Sequence, residues 1–210
     1  MSMRSFRHSE TMRLYPDWNH EYDLRRKLAR IFSSKPGGVF IDVGANVGVY
    51  SISLSPFFDK VYAVEPWYAD QLKQNLKDYE VDNVTVIDAA AWDFNGQVLI
   101  GVVREDNWPV TGVPRVGQPG RLVKAVRLDD VIGEPFRLLK VDVEGEAMHV
   151  LMGMPNLLDK SKGMAVIEVH NHGESHGTYL YMVEHGWRLN ETWNERSMGD
   201  KYHAHKVYVK

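Results

Sequence analysis

The chain of 210 residues contains no cysteine. Without thiols it can form no disulfide bond, which is typical of a protein from a reducing compartment. The absence also excludes reactions that depend on a cysteine nucleophile. Chemistry in this chain must therefore come from other side chains.

Neither charge of one sign nor long apolar runs are in excess. The formal net charge is −3, so the chain as a whole lacks the basic surplus that attracts proteins to nucleic acid or anionic membranes. No apolar run approaches the roughly 18 residues of a membrane span, and the N-terminus lacks a long apolar signal region. We predict a soluble, cytoplasmic protein with no membrane span and no favoured nucleic-acid partner.

The chain does contain short apolar runs that alternate with stretches of helical periodicity. This alternation is typical of an α/β fold, in which a mostly parallel sheet carries helices on both faces. The predicted strands begin with the run at Val39 and continue with Val61–Val64, Val84–Ile87, Leu138–Val143 and Met164–Val169. The predicted helices are Trp18–Phe32, Tyr68–Tyr79, Glu146–Leu151 and Ser175–His185.

Two regions depart from this alternation. Residues 1–16 show no clear period and are predicted to be an N-terminal tail or arm, which leaves 17–210 as a single domain. The region 96–131 has apolar runs around a Gly- and Pro-rich stretch, and predicts a β-excursion with a long loop at 104–120 that carries Trp108. Such a loop is either a lid over a site or an exposed, variable segment.

The segment Asp42–Gly48 has the form of a nucleotide-binding turn. It follows an apolar run, reads Asp-x-Gly-Ala-Asn-x-Gly, and leads into a segment that can begin a helix. Its glycines let the backbone pass close to a ligand, and helix N–H groups point toward that ligand. The spacing differs from the dinucleotide fingerprint Gly-x-Gly-x-x-Gly. A second acid, Glu65, ends the next apolar run, where it can accept hydrogen bonds from ribose hydroxyls.

Four blocks of the sequence, taken in order, resemble one known family. They are Asp42–Gly48, then Ala-Val-Glu-Pro at 63–66, Lys-x-Asp-x-Glu-Gly at 140–145 and Ile-Glu-x-His at 167–170. Their order and spacing over roughly residues 38–172 resemble the FkbM-type methyltransferases, which use S-adenosylmethionine. The family pattern has its last acid two residues after the glycine, whereas here Glu146 follows Gly145 directly. We therefore leave Glu146 out of the predicted site.

The resemblance implies the Rossmann-like fold of class I methyltransferases. In that fold a mostly parallel, seven-stranded sheet ends in an antiparallel hairpin at its edge, here predicted at Trp187–Thr192 and Ala204–Val209. It also implies S-adenosylmethionine as cofactor and S-adenosylhomocysteine as product, with Asp88, Ala89 and Ala90 bordering the adenine. The predicted cofactor-binding residues are Asp42, Gly44, Ala45, Asn46, Gly48, Glu65, Pro66, Asp88, Ala89, Ala90 and Asp142.

The predicted catalytic residues are Lys140, Asp142, Glu168 and His170. Spacing of i, i+2 on an extended chain places the first two on one face of a strand, and the last two on one face of the next strand. Methyl transfer to a hydroxyl needs an aligned acceptor and a base for its proton. Histidine titrates near neutral pH, so we predict His170 as that base and Asp142 as its orienter or as the alternative base. For Lys140 the alternative is a structural ion pair with Asp142 or Glu168.

A metal ion is possible here but is not the favoured prediction. If one binds, the expected ligands are Asp142, Glu168 and His170, and the ion would lower the pKa of a hydroxyl acceptor. His203 and His205 are predicted to lie along the last strand without a chemical role.

The acid-rich segment 140–145 favours O-methylation, because enzymes that methylate amino groups of bases usually carry an Asn/Asp-Pro-Pro-aromatic stretch there. The lack of cysteine argues against methylation at carbon 5 of pyrimidines. We predict a methyltransferase that acts on a hydroxyl of a small molecule, a sugar or a glycan. Two alternatives stay open: an RNA ribose 2′-O-methyltransferase, which needs a basic acceptor face, and a nucleotide-binding module without catalysis.

Overall fold

The computed structural model describes residues 21–102, 109–111, 120–198 and 201–210. The predicted tail at 1–16, Trp108 and most of the loop at 104–120 lie outside these residues. The strands are β1 (Val39–Val43), β2 (Lys60–Val64), β3 (Val84–Ile87), β4 (Ala90–Ala91), β5 (Gly96–Val102), β6 (Pro109–Thr111), β7 (Gly120–Val126), β8 (Leu138–Val141), β9 (Met164–Val169), β10 (Arg188–Met198) and β11 (Lys201–Val209). The helices are α1 (Tyr22–Ser33), α2 (Val49–Leu54), α3 (Ala69–Asp78), α4 (Leu128–Val131), α5 (Ala147–Met152), α6 (Pro155–Lys160) and α7 (His172–Glu184), with a 3₁₀ turn at Ser55–Phe57.

The main sheet has seven strands in the order β10-β11-β9-β8-β1-β2-β3. The neighbours from β9 to β3 pair in parallel, whereas β11 pairs antiparallel with both β9 and β10. Every residue of β1 and β8 is buried, as expected for central parallel strands covered on both faces. The predicted α/β fold and its antiparallel C-terminal hairpin at the sheet edge are confirmed.

The alternation of side chains along each strand divides the core into two layers. On one face Phe40, Leu138 and Val166 pack with residues of α1 and α2. On the other face Ile41, Leu139 and Ile167 pack with residues of α5, α6 and α7. Because successive side chains of a strand point to opposite faces, each central strand contributes to both layers.

The predicted β-excursion is a second sheet of four strands in the order β4-β7-β5-β6. It has its own buried cluster, formed by Trp92, Val98, Ile100, Val123 and neighbouring alanines. The excursion follows β3 in the chain and precedes β8. It therefore begins near the carboxyl end of β3, at the edge of the main sheet where the parallel strands end.

Several boundaries differ from the prediction, and helix α6 was missed. Strand β8 ends at Val141, so Asp142 and Val143 belong to the following turn. Helix α6 has six residues and begins at Pro155; it is too short for a clear period, and proline at a first helical position is readily mistaken for a helix breaker. The extent of the predicted domain at 17–210 stays a prediction. Of the described helices, none is long and apolar enough to cross a membrane.

Candidate active site

A cavity opens at the carboxyl ends of the central strands, where an open α/β sheet binds its ligands. Its wall combines residues that follow β1, β2, β4 and β8 with the end of β9. The described lining residues are Val43, Gly44, Ala45, Asn46, Val49, Tyr50, Val64, Glu65, Pro66, Trp67, Tyr68, Ala90, Ala91, Trp92, Ile100, Lys140, Asp142, Val143, Glu144, Glu146 and Glu168. Most predicted site residues are therefore brought together around one space.

The glycine loop, residues 44–48, contributes Gly44, Ala45 and Asn46 to the first wall of the cavity. Gly44 has φ +76°, and a Cβ atom there would lie 1.8 Å from the carbonyl oxygen of Asp142. Gly48 has φ +95°, and its Cβ would lie 2.4 Å from Leu72 Cδ1. Glycine is thus required twice, once where the loop passes the end of β8 and once where α2 packs on α3. Asn46 also has a left-handed backbone, with φ 53°.

Glu65 is buried beside this loop and joins two backbone segments. Its Oε2 accepts a hydrogen bond from the N–H of Asn46 at 2.8 Å. Its Oε1 accepts from the N–H groups of Trp67 and Tyr68, at 2.6 and 3.0 Å. Burial raises the pKa of Glu65 although these N–H groups lower it. A carboxylate offers about four acceptor positions, so three bonds leave room for one more. The sequence did not indicate that Glu65 shapes both loops.

The segment after Glu65 is held by the second sheet. Arg121 on β7 lies 4.5 Å from the centre of the Trp67 ring. Its guanidinium also donates hydrogen bonds to the carbonyl oxygens of Pro66 and Trp67, at 2.7 and 3.3 Å. The β-excursion therefore fixes one wall of the cavity, a role that no sequence pattern indicated.

Five predicted residues are not part of the described wall, namely Asp42, Gly48, Asp88, Ala89 and His170. Asp42 is fully buried and accepts a hydrogen bond from Ser51 Oγ at 2.6 Å, so it supports the start of α2 from below. Asp88 is exposed and pairs with Lys73 Nζ at 2.9 Å. Ala90 does line the cavity, together with Ala91 and Trp92.

The opposite wall contains an ion pair at the end of β8. Lys140 Nζ lies 2.9 Å from Asp142 Oδ2, and the Lys140 side chain is only 3% exposed. The ammonium group also lies 4.4 Å from the centre of the Tyr50 ring. Burial would lower the pKa of Lys140, but the charges of Asp142 and Asp42 raise it. Burial raises the pKa of Asp142 against the opposing charge of Lys140. The ion pair considered for Lys140 is present.

Three histidines surround Glu168 on the neighbouring strands β9 and β11. Glu168 Oε1 contacts His203 Nε2 and lies 3.5 Å from His170 Nε2. Glu168 Oε2 lies 3.5 Å from His205 Nε2, which is 2.7 Å from Glu21 Oε1. His203 and His205 do lie on the last strand, but both contact a predicted catalytic carboxylate. The sequence signal was their i, i+2 spacing, which matches that of Glu168 and His170.

We call Lys140, Asp142, Glu168, His170, His203 and His205 the charged row. Within it, burial would lower the pKa of His170, but Glu168, Glu174 and Glu144 raise it to about 10. His205 is similar: burial opposes its charge, and Glu168 and Glu21 raise its pKa to about 9. The pKa of Glu168 is lowered because the histidines donate hydrogen bonds that outweigh its burial. The raised pKa favours the protonated form of His170, and His170 is not among the described residues that line the cavity, whereas Asp142 and Glu168 are.

Sequence reasoning missed several residues that support the row. Glu174 on α7 accepts hydrogen bonds from the N–H groups of Ala147 and His170, at 3.1 and 2.8 Å. Tyr50 donates a hydrogen bond to Glu21 Oε2 at 2.6 Å. Glu146, which was left out of the predicted site, lines the cavity. None of these residues lies in a recognisable spacing with the others, since they come from separate elements.

Comparisons with known proteins agree with this architecture. A model of the methyltransferase FkbM domain family matches residues 42–189, a range that covers the cavity and the charged row up to His170. Among curated proteins, no sequence matches the chain.

Solved structures share the fold at low sequence identity. A methyltransferase FkbM from Methylobacillus flagellatus KT is 17% identical with a TM-score of 0.54; the match covers 83% of this chain and 44% of that one. This chain therefore spans less than half of that protein. An rRNA methylase from Streptococcus thermophilus is 15% identical with a TM-score of 0.59, over 90% of this chain and 95% of that one.

A third similar structure is a magnesium protoporphyrin IX methyltransferase from Synechocystis PCC 6803, described with bound SAM. It is 11% identical with a TM-score of 0.56, and the match covers 99% of this chain and 86% of that one. These likenesses confirm the predicted class I methyltransferase fold.

Proposed function

The chain belongs to the FkbM methyltransferase family, and on this premise we propose that it transfers a methyl group from S-adenosylmethionine to a hydroxyl of a small molecule, a sugar or a glycan. The observation that carries the proposal is the composition of one cavity. Backbone groups and Glu65 form one wall, and the carboxylates Asp142 and Glu168 lie in the other. A cofactor with a reactive methyl and an acceptor that loses a proton need such a pair of walls.

The proposed cofactor site uses the glycine loop and the end of β2. The backbone at Gly44, Ala45 and Asn46 borders the space where the amino-acid part of the cofactor would lie. The remaining acceptor position of Glu65 suits a ribose hydroxyl, and the surfaces of Trp67 and Ala90 would border the adenine. S-adenosylmethionine in the Synechocystis relative supports this assignment.

The proposed reaction moves one methyl group and one proton. An oxygen of the acceptor forms a bond to the methyl carbon while the carbon–sulfur bond breaks, so that S-adenosylhomocysteine leaves as the neutral sulfide. The hydroxyl proton passes to Asp142, whose pKa is raised by burial and which therefore binds a proton more readily than an exposed aspartate. The Lys140 ammonium holds this carboxylate in place at 2.9 Å.

We propose Asp142 as the base, ahead of the predicted His170. A base must begin the reaction without the proton that it will accept. Burial would lower the pKa of His170, but Glu168 and Glu174 outweigh that effect and raise it to about 10. His170 also approaches Glu168 at 3.5 Å, so its proposed part in this reaction is to position that carboxylate.

Binding and product formation test the proposal separately. Calorimetry should show binding of S-adenosylmethionine and of S-adenosylhomocysteine, and none of NAD. Incubation with S-adenosylmethionine carrying a deuterated methyl group and a library of hydroxyl compounds and amines should give labelled hydroxyl compounds, which mass spectrometry detects by their added mass. Binding of NAD without binding of S-adenosylmethionine would contradict the cofactor, and labelled amines without labelled hydroxyl compounds would contradict the acceptor class.

A further inference from the structure

Part of the charged row forms a compact group on the face shared by β9 and β11. The register pairs His205 with Glu168, and the period of two places His170 and His203 on the same face. The Nε2 atoms of His170 and His203 both approach a single oxygen, Glu168 Oε1. Two imidazole nitrogens and a carboxylate oxygen that lie this close together can be turned toward one point between them, as the ligands of a metal ion must be.

We propose that Glu168, His170 and His203 form a binding site for a divalent transition-metal ion, with Zn²⁺ as the ion of best fit. The ligand atoms of these three residues all lie within 4.8 Å of one another. Zinc bonds of about 2.0–2.2 Å in tetrahedral geometry set neighbouring ligand atoms roughly 3.3 Å apart. The separation of Glu168 Oε1 and His170 Nε2 is 3.5 Å, close to this value, whereas His203 Nε2 is in hydrogen-bond contact with Glu168 Oε1. The ion would take the place of that hydrogen bond and displace the proton of His170, because histidine binds metals in its neutral form.

The residues around the three ligands hold them in suitable orientations. The second oxygen of Glu168 faces His205 Nε2 at 3.5 Å, and that nitrogen lies 2.7 Å from Glu21 Oε1. Glu21 in turn accepts the hydrogen bond of Tyr50. Such outer contacts orient a carboxylate ligand, and second-layer partners commonly tune metal affinity by about 10–100-fold.

The donor set selects the kind of ion. Two imidazole nitrogens favour zinc and related transition metals over Mg²⁺ and Ca²⁺, which prefer oxygen ligands. Two histidines and one carboxylate leave a fourth position for water or substrate. Asp142, one of the predicted ligands, is instead paired with Lys140 at 2.9 Å, and His203 takes its place in the set.

The metal site can be tested by a binding measurement that does not require methyl transfer. A role in the reaction would rest on the proposed function: Glu168 also lines the cavity, so an ion bound there could lower the pKa of a hydroxyl acceptor next to it.

Calorimetric titration of the tag-free, chelator-treated chain with ZnCl₂, and separately with MgCl₂, tests the site. We expect one zinc ion per chain and no Mg²⁺ binding. His203→Gln and His170→Gln should each weaken zinc binding at least about tenfold. The matched control is His185→Gln, since His185 also contacts a carboxylate, Asp159, at 2.7 Å, but with no second imidazole described beside it. Co²⁺ gives a second readout, because bound tetrahedral cobalt absorbs visible light strongly and His203→Gln should remove that absorption.

Any of three outcomes would overturn the proposal. One is the absence of saturable zinc binding to a chain whose circular dichroism shows that it is folded. Another is equal zinc affinity in His203→Gln and the unmodified chain. Loss of zinc binding in His205→Gln with full retention in His203→Gln would place the ion on Glu21, Glu168 and His205, the alternative group within the same distance limit, and would also overturn it.

Discussion

In the wall formed by the glycine loop, the polar groups that face inward are backbone N–H and C=O groups and a single carboxylate, Glu65. In the wall formed by the charged row, they are side-chain carboxylates and an ammonium group, from Asp142, Glu168 and Lys140, whereas the imidazoles of the row contact Glu168 and are not among the described lining residues. The first wall needs particular backbone angles at Gly44 and Gly48. The second needs charges that compensate one another, such as Lys140 with Asp142. A wall built from backbone is suited to hold a ligand, whereas a wall of titratable side chains can also exchange protons.

The largest expected effect concerns the charged row. Asp142→Asn should lower turnover about 10²–10⁴-fold, since an amide cannot accept the hydroxyl proton. We expect the affinity for S-adenosylmethionine to change much less, because the substitution keeps the shape of the side chain. Initial rates and calorimetry on the same preparation separate the two effects. Asp159→Asn, on the surface beside His185, is the control, and turnover of Asp142→Asn near that of the control would show that another group is the base.

Substitutions in the glycine loop should act through steric clash and backbone strain rather than through charge. Gly44→Ala places a methyl group 1.8 Å from the carbonyl oxygen of Asp142 and keeps a residue with a side chain at φ +76°. The strained backbone alone costs about 1–3 kcal/mol in the free energy of unfolding, and the clash adds to it. Urea denaturation measures the loss.

Gly133→Ala is the matched control for Gly44→Ala, since a Cβ there meets nothing within 4 Å. If Gly44→Ala were as stable as Gly133→Ala and bound the cofactor equally well, the close passage of the loop at the end of β8 would be disproved.

Substitution of Glu65 tests whether the wall formed by the glycine loop also contributes a charged group to cofactor binding. Glu65→Gln should weaken S-adenosylmethionine binding by about 1.5–3 kcal/mol, the usual value of hydrogen bonds to a charged group. The amide also disturbs the three hydrogen bonds that the carboxylate accepts from backbone N–H groups. Calorimetry measures the affinity, with Glu134→Gln at the exposed pair with Lys60 as control. Equal affinities in the two variants would remove Glu65 from the binding site.

The smallest expected effect is a dependence of stability on pH at the edge of the charged row. Burial would raise the pKa of Glu21, but His205, Lys140 and Tyr50 lower it to about 2 from the ordinary value of 4.5. Because the folded state lowers this pKa, Glu21 stabilises the fold above pH 4.5 and loses that contribution as the pH falls toward 2.

Replacement by glutamine should therefore cost about 1 kcal/mol at pH 7 and should make the free energy of unfolding less sensitive to pH below 4.5. Urea denaturation at a series of pH values measures both quantities. The same slope below pH 4.5 in Glu21→Gln and the unmodified chain would show that other carboxylates carry the acid sensitivity.

The sequence was informative where the residues that form one structural feature lie in a single short segment. The glycine loop is such a segment, because its glycines, its acid and the adjacent strand are contiguous. The strands β1, β2, β3, β8 and β9 were likewise predicted close to their observed bounds, since a buried parallel strand is a short apolar run. The short helix α6 and the supports Glu21, Glu174 and Arg121 were not predicted, because their partners are distant in the chain.

By itself the sequence indicated the family, most of the strands and helices along the chain, and a turn at 42–48 that depends on its glycines, since each of these follows from local composition and spacing. Only the tertiary structure decided which charges meet. Glu168 was predicted from its i, i+2 spacing with His170 along one strand, but its contacts with His203 and His205 arise because β11 inserts antiparallel beside β9. Burial would lower the pKa of His205, but Glu168 on β9 and Glu21 raise it for the same reason, since Coulomb energy depends on distance in space and not on separation in sequence.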